Sequence, residues 1–165
     1  QARAQAIPLA LDVNWRPTFW DVAADPSAGP TQAARAAIRP LLEQAALVKL
    51  AREEALWFFG RDDPSLISAE LSQRPDVVVT DGAAPVRWCI GGTSGTQPAL
   101  SPPEVVDTTG AGDAFTAGLL HRWSAPVPQR LRFAAACGAL VCTGAGGIDP
   151  QPMEAQVDAF LGGVS

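Results

Sequence analysis

At 165 residues, with 47% hydrophobic and 18% charged side chains, the chain has the makeup of a folded globular protein and not of a disordered one. A net charge of -5 and a pI of about 4.7 exclude a nucleic-acid binder, because the dominant electrostatic term would be repulsive over most of the surface. The sequence has no apolar run long enough for a membrane span.

The first residue is Gln1, and an apolar run begins almost at once, so we expect a chain that starts inside a longer gene product. No signal peptide stands out before that run. Ile7–Val13 is short, apolar and partly β-branched, which predicts a buried strand. Residues 14–30 carry prolines, glycine and turn formers and predict a long loop. Thr31 can cap a helix running to about Ala45, with Ala34, Ile38, Leu41, Leu42 and Ala45 on one face and a kink or new turn at Pro40. Leu47–Leu50 reads as a strand, Arg52–Phe59 as a helix stopped by Gly60, and Pro64 opens a helix to about Gln73.

Val77–Val79 is the strongest strand signal, followed by the turn Thr80-Asp81-Gly82. Arg87–Ile90 can pair beside it, with Gly91-Gly92 turning away. Thr93–Pro103 reads as a polar connection and Val105-Val106 as a short strand. Helices follow at about Ala114–Trp123 and Val127–Thr143, then a second glycine-rich loop, Gly144–Pro150, and a last helix at Met153–Leu161. Strands alternating with helices predict one α/β domain with a mostly parallel sheet covered on both faces, its ligands at the carboxyl ends of the strands.

Cys89, Cys137 and Cys142 make an odd count with no C-x-x-C pair. That favours small buried thiols in a reducing cytoplasm over zinc or disulfides. Other phosphate-transfer machines leave marks that are missing: there is no G-x-x-x-x-G-K-[ST], the only lysine is Lys49, and neither H-R-D nor D-F-G occurs. His121 lies inside a predicted helix and reads as an ordinary helix residue. With no G-x-S-x-G, a serine-hydrolase triad has no support.

The chemistry gathers in Asp107-Thr108-Thr109-Gly110-Ala111-Gly112-Asp113-Ala114-Phe115, between a predicted strand and a helix. Gly110 and Gly112 remove side chains from the turn, so backbone amides can approach a ligand. The helix behind them directs its positive end to the same place, which suits a phosphate. Asp113 falls in the first helical turn, where a carboxylate can take a proton from an attacking hydroxyl. Spacing alone allows a second reading, in which Asp113 only caps the helix.

The string D-T-T-G-A-G-D-A-F resembles, without a mismatch, the signature of the PfkB (ribokinase-like) carbohydrate kinases. The resemblance runs from about Ile7 to Pro150. It implies a three-layer α-β-α ribokinase-like fold, of which this chain is the C-terminal nucleotide-binding and catalytic part, without the N-terminal half and lid. It implies Asp113 as catalytic base and the amides of Gly110, Ala111 and Gly112 as an anion hole. Asp107 and Thr109 would help hold a monovalent cation, usually potassium, with the carbonyls of Gly144 and Gly147 as further ligands.

Asp12-Val13-Asn14-Trp15-Arg16-Pro17, ending in Trp20, is similar to a stretch of fructokinases and ketodeoxygluconate kinases. By that likeness Asn14 and Arg16 lie near the sugar or the transferred phosphate; otherwise they are a loop asparagine and a surface arginine. Leu47–Glu54 resembles the stretch whose acidic residue, here Glu54, orients the water shell of magnesium. The usual Asn or Ser three positions earlier is Ala51, and Glu54 could equally be an exposed helix carboxylate. Thr80 and Gly82 would meet the nucleotide, though Asp81 and Pro85 depart from the family's usual leucine and glycine. Ala134–Thr143 would line the adenine.

The implied activity is transfer of the γ-phosphoryl group of Mg-ATP to a sugar hydroxyl, with fructose first and ketodeoxygluconate second. No nucleic-acid or membrane partner is expected, and the family allows a homodimer formed through the lid. A reading of another class is a non-catalytic relative or fragment acting as an interaction module.

Overall fold

The computed structural model describes residues 5–163. Its contacts divide the chain into two compact units, one reaching to Asp81 with Val86–Thr96 added, the other holding Gly82–Pro85 and the chain from Gln97 onward.

The first unit is built on a five-stranded sheet in the order β1-β2-β3-β4-β5. The strands are β1 (Ala10–Asp12), β2 (Leu47–Ala51), β3 (Asp76–Thr80), β4 (Val86–Ile90) and β5 (Thr93–Gln97). β1, β2 and β3 run parallel, with Leu11 opposite Val48 and Val48 opposite Val77, and β4 returns antiparallel to β3. Leu47, Val48, Leu50 and Val77–Val79 are at most 1% exposed, the continuous burial expected of parallel strands. β1 is shorter than the predicted Ile7–Val13 because Pro8 has no amide to give. Pairing outlasts the strand at both ends, through Leu47 N to Leu9 O and Val13 N to Lys49 O.

Helix α1 (Gln32–Leu42) starts where expected, with the Thr31 hydroxyl accepting from the Ala34 amide, and Pro40 lies two residues from its end. α2 (Arg52–Phe59) ends on Gly60 in the left-handed conformation at φ 66. α3 (Pro64–Glu70) is capped by Asp63, which accepts from the Ser65 and Leu66 amides. It stops three residues short of the predicted Gln73. α2 packs on β2 and β3, and α3 on β3 and β4, around a core that includes Leu42, Leu50, Phe59, Ile67 and Leu71.

Thr93–Gln97 corrects an expectation, being a strand where polarity predicted only a connection. Gly91 and Gly92 take φ 58 and 76, the two positive values of a tight hairpin turn. Gly95 lies flat on the Trp88 indole, where a Cβ would come within 2.5 Å of the ring.

The second unit is helical in its ordered elements: α4 (Ala111–His121), α5 (Val127–Val141) and α6 (Glu154–Gly163). α4 and α5 approach closely because Gly118 meets Ala134 and Cys137, and Gly138 meets the Ala111 carbonyl. Val157 of α6 joins Ala114, Phe133, Ala136 and Val141 in the core of this unit. Val105-Val106 is a second correction, since no strand forms there. Both side chains are more than half exposed, and the Val106 and Asp107 amides donate to the Cys142 carbonyl at the end of α5.

All three cysteines are buried and free. Among the described residues no helix is long and apolar enough to cross a membrane.

Candidate active site

The glycine-rich bend is the organising feature of the second unit. Gly110 is the N-cap of α4 with φ 81 and ψ -2, no side chain caps the helix, and Asp113 stands in its first turn. A side chain other than glycine would be strained at that φ. The Asp113 carboxylate is exposed, and among the described residues it accepts no hydrogen bond from the amides of the turn.

The amides differ from expectation at one position. Ala111 N donates to the Thr108 carbonyl at 3.2 Å, closing the turn, and Ala114 N donates to Gly110 O at 2.8 Å. Among the described residues the amides of Gly110, Gly112 and Asp113 have no acceptor in the protein. The open donors are thus Gly110, Gly112 and Asp113, with Ala111 spent on the turn itself. They lie at the positive end of an eleven-residue helix.

Asp107 ties this bend to the second glycine-rich loop. Its Oδ1 accepts from the Thr109 amide (2.9 Å) and hydroxyl (2.8 Å), and its Oδ2 accepts from the Gly146 amide (2.8 Å). The amide donors of Thr109 and Gly146, with the Thr109 hydroxyl, hold its carboxyl below the usual carboxylate range. The backbones of the two loops touch: a Cβ on Gly110 would lie 2.8 Å from Gly147 Cα. Gly147 O accepts from Gln151 Nε2 at 2.8 Å. Asp107, Thr109, Gly144 and Gly147 offer only hard oxygen atoms, a donor set that fits an alkali cation and not a soft metal.

A cavity of about 330 Å³ lies between α4, α5 and α6. Phe133, His121, Glu154 and Cys137 are among the residues that line it, and of the stretch expected to face the adenine only Cys137 reaches it. Gly82 also belongs to this unit, at φ 52 with open space around it.

The remaining predicted residues stand in the first unit. Asn14 holds a left-handed φ of 44, and Arg16 is exposed with Nη1 donating to the Trp15 carbonyl. Between them Trp15 is buried, its indole Nε1 donating to Ala28 O. Thr80 ends β3, with its hydroxyl 3.4 Å from Leu50 O. Glu54 is not an exposed helix carboxylate. It is 5% exposed, Oε1 accepts from Trp15 N at 2.5 Å and Oε2 from Ala51 N at 2.7 Å. Ala51 has no side-chain oxygen to return the second bond, so only half of a capping box exists.

The sequence reading missed one charged pair. Lys49, inside apolar β2, has its ammonium 3.3 Å from Asp12 at the end of β1, and both side chains are largely buried. A lone lysine in an otherwise apolar strand was the available signal.

The family profile described as pfkB family carbohydrate kinase matches residues 3–154. The chain belongs to that family. Fructokinase of Klebsiella pneumoniae is 35% identical over 164 residues, which cover 93% of this chain and 50% of that protein. A double mutant of fructokinase from Vibrio cholerae O395, solved with fructose, ADP and potassium ion, is 27% identical with a TM-score of 0.81 over 98% of this chain and 52% of that one. Fructokinase with bound ATP from Xylella fastidiosa is 29% identical, with a TM-score of 0.76 over 98% and 54%. The pfkB chain is therefore ribokinase-like in fold, and it spans about half the length of the relatives it matches.

Proposed function

We propose that the full-length protein is an ATP-dependent sugar kinase that phosphorylates fructose to fructose 6-phosphate, with Asp113 as general base. The observation that carries this reading is an exposed carboxylate in the first turn of α4 beside the unpaired amides of Gly110 and Gly112. The fructokinase relatives support the choice of sugar, and Asn14 and Arg16 are the residues of this chain assigned to it.

In the proposed reaction ATP enters as its magnesium complex. The Asp113 carboxylate accepts the proton of the attacking sugar hydroxyl as its oxygen bonds to the γ-phosphorus. The bond from that phosphorus to the β–γ bridging oxygen breaks, and ADP leaves. The amides of Gly110, Gly112 and Asp113 donate to the equatorial oxygens of the group in transit, and Thr80 and Gly82 are assigned to the nucleotide. A potassium-class cation on Asp107, Thr109, Gly144 and Gly147 would offset negative charge beside the nucleotide.

The test is a coupled ADP-release assay on the full-length protein with fructose, ketodeoxygluconate and ribose compared. Asp113→Asn should cut turnover by about 10²- to 10⁴-fold with ATP affinity nearly unchanged. An active Asp113→Asn protein refutes the base, and a preference for either other substrate refutes fructose. Failure on all three sugars, with nucleotide still bound, favours the interaction-module reading.

A further inference from the structure

We infer that Glu54 is a positioning residue for the Asn14–Arg16 loop. The inference rests on the reading above that this loop faces the sugar.

Three fixed points converge on Trp15. Its amide donates to Glu54 Oε1, its indole Nε1 donates to Ala28 O at 2.8 Å, and its carbonyl accepts from Arg16 Nη1 at 2.9 Å. The ring is 6% exposed and lies 5.8 Å from the Trp20 ring. The two residues given to the sugar, Asn14 and Arg16, flank this locked residue, and Asn14 holds a φ of 44 that the loop must sustain.

Glu54 links this loop to the first turn of α2, through its second oxygen on Ala51 N. Both groups facing it are N–H donors, so the site calls for an acceptor on each side. Only a carboxylate offers two, and its charge also suits the amino end of α2. A glutamine would set its own NH₂ against one of the amides.

The experiment uses the full-length protein with Glu54→Gln and Arg16→Ala, alone and combined. For Glu54→Gln the expected result is a sugar KM raised about tenfold, with kcat and the magnesium concentration for half activity each held within about twofold. Hydrogen exchange of residues 13–16 should quicken. In the double variant the two effects should not multiply, since Glu54 acts through the loop that carries Arg16.

A shifted magnesium midpoint, or an unmoved sugar KM beside a raised one in Arg16→Ala, overturns the positioning role. An unmoved sugar KM in Arg16→Ala itself refutes the reading of the loop instead, and exchange at residues 13–16 still decides whether Glu54 holds it. Should Glu54→Gln not fold, Glu54→Asp keeps the charge but is too short to reach both amides. The same outcomes then apply.

Discussion

Replacing Gly110 by alanine tests how the bend is held, because its cost has two separable parts. The first is conformational, since φ is 81, and placing an L-residue there costs about 1–2 kcal/mol. The second is contact: the new Cβ would lie 2.8 Å from Gly147 Cα and 3.1 Å from Gly147 O. Those are backbone atoms that cannot rotate away, and overpacking of this kind costs about 1–3 kcal/mol more.

Gly146 is the control. Its φ of 75 is nearly the same, yet a Cβ there meets nothing within 4 Å. Gly146→Ala should therefore lose about 1–2 kcal/mol and Gly110→Ala about 2–5 kcal/mol. The measurement is urea unfolding of the full-length protein, read as the change in midpoint at constant slope. Gly110→Ala should also lower kcat, because the displaced turn carries the open amides, while Gly146→Ala keeps its amide for Asp107. Equal losses in the two variants would show that the loops give way at the contact, and the argument that Gly110 is required by Gly147 would fail.

Two other perturbations have signs fixed by the structure. Ala51→Ser would complete the half capping box of α2 by offering a hydroxyl to the Glu54 amide; we expect about 1 kcal/mol of added stability and a Tm higher by about 2–4 °C in a thermal melt. Glu43 accepts from the Ser72 amide and hydroxyl and pairs with Arg39, which brings its carboxyl from the ordinary value down to about 2. A depressed folded value means the contribution is complete above the ordinary carboxylate range and fades as pH falls toward about 2. Urea midpoints taken down that range should drop less steeply in Glu43→Gln than in the parent protein.

Local signals carried far in this chain. The β-branched run at Val77–Val79, the Thr31 and Asp63 caps, Pro64 at a helix start and Gly60 at a helix end all act through neighbours within four residues, and each is found in place. The Asp107–Asp113 bend was legible for the same reason. What the sequence concealed was settled by distant partners. Glu54 is buried because Trp15, 39 positions away, brings it an amide. Lys49 is tolerated inside β2 because Asp12, 37 positions away, meets its charge. The polar strand Thr93–Gln97 forms because Gly95 gives the Trp88 ring a flat seat, a fit that composition cannot express.

The proposed nucleotide role asks an acidic chain to keep its favourable potential local. Here the bend from Thr108 to Gly112 contains no cationic side chain, and its donors are backbone amides at a helix end, whose field fades within about one turn. Of the two carboxylates beside it, that of Asp107 is met on both oxygens by Thr109 and Gly146. Its charge is thereby turned inward to bind one glycine loop to the other. Asp113, in contrast, stands exposed at the same helix end. The two aspartates of the motif thus differ by their partners: Asp107, held by three donors, shapes the bend, and Asp113 stands open to solvent, as the proposed base requires.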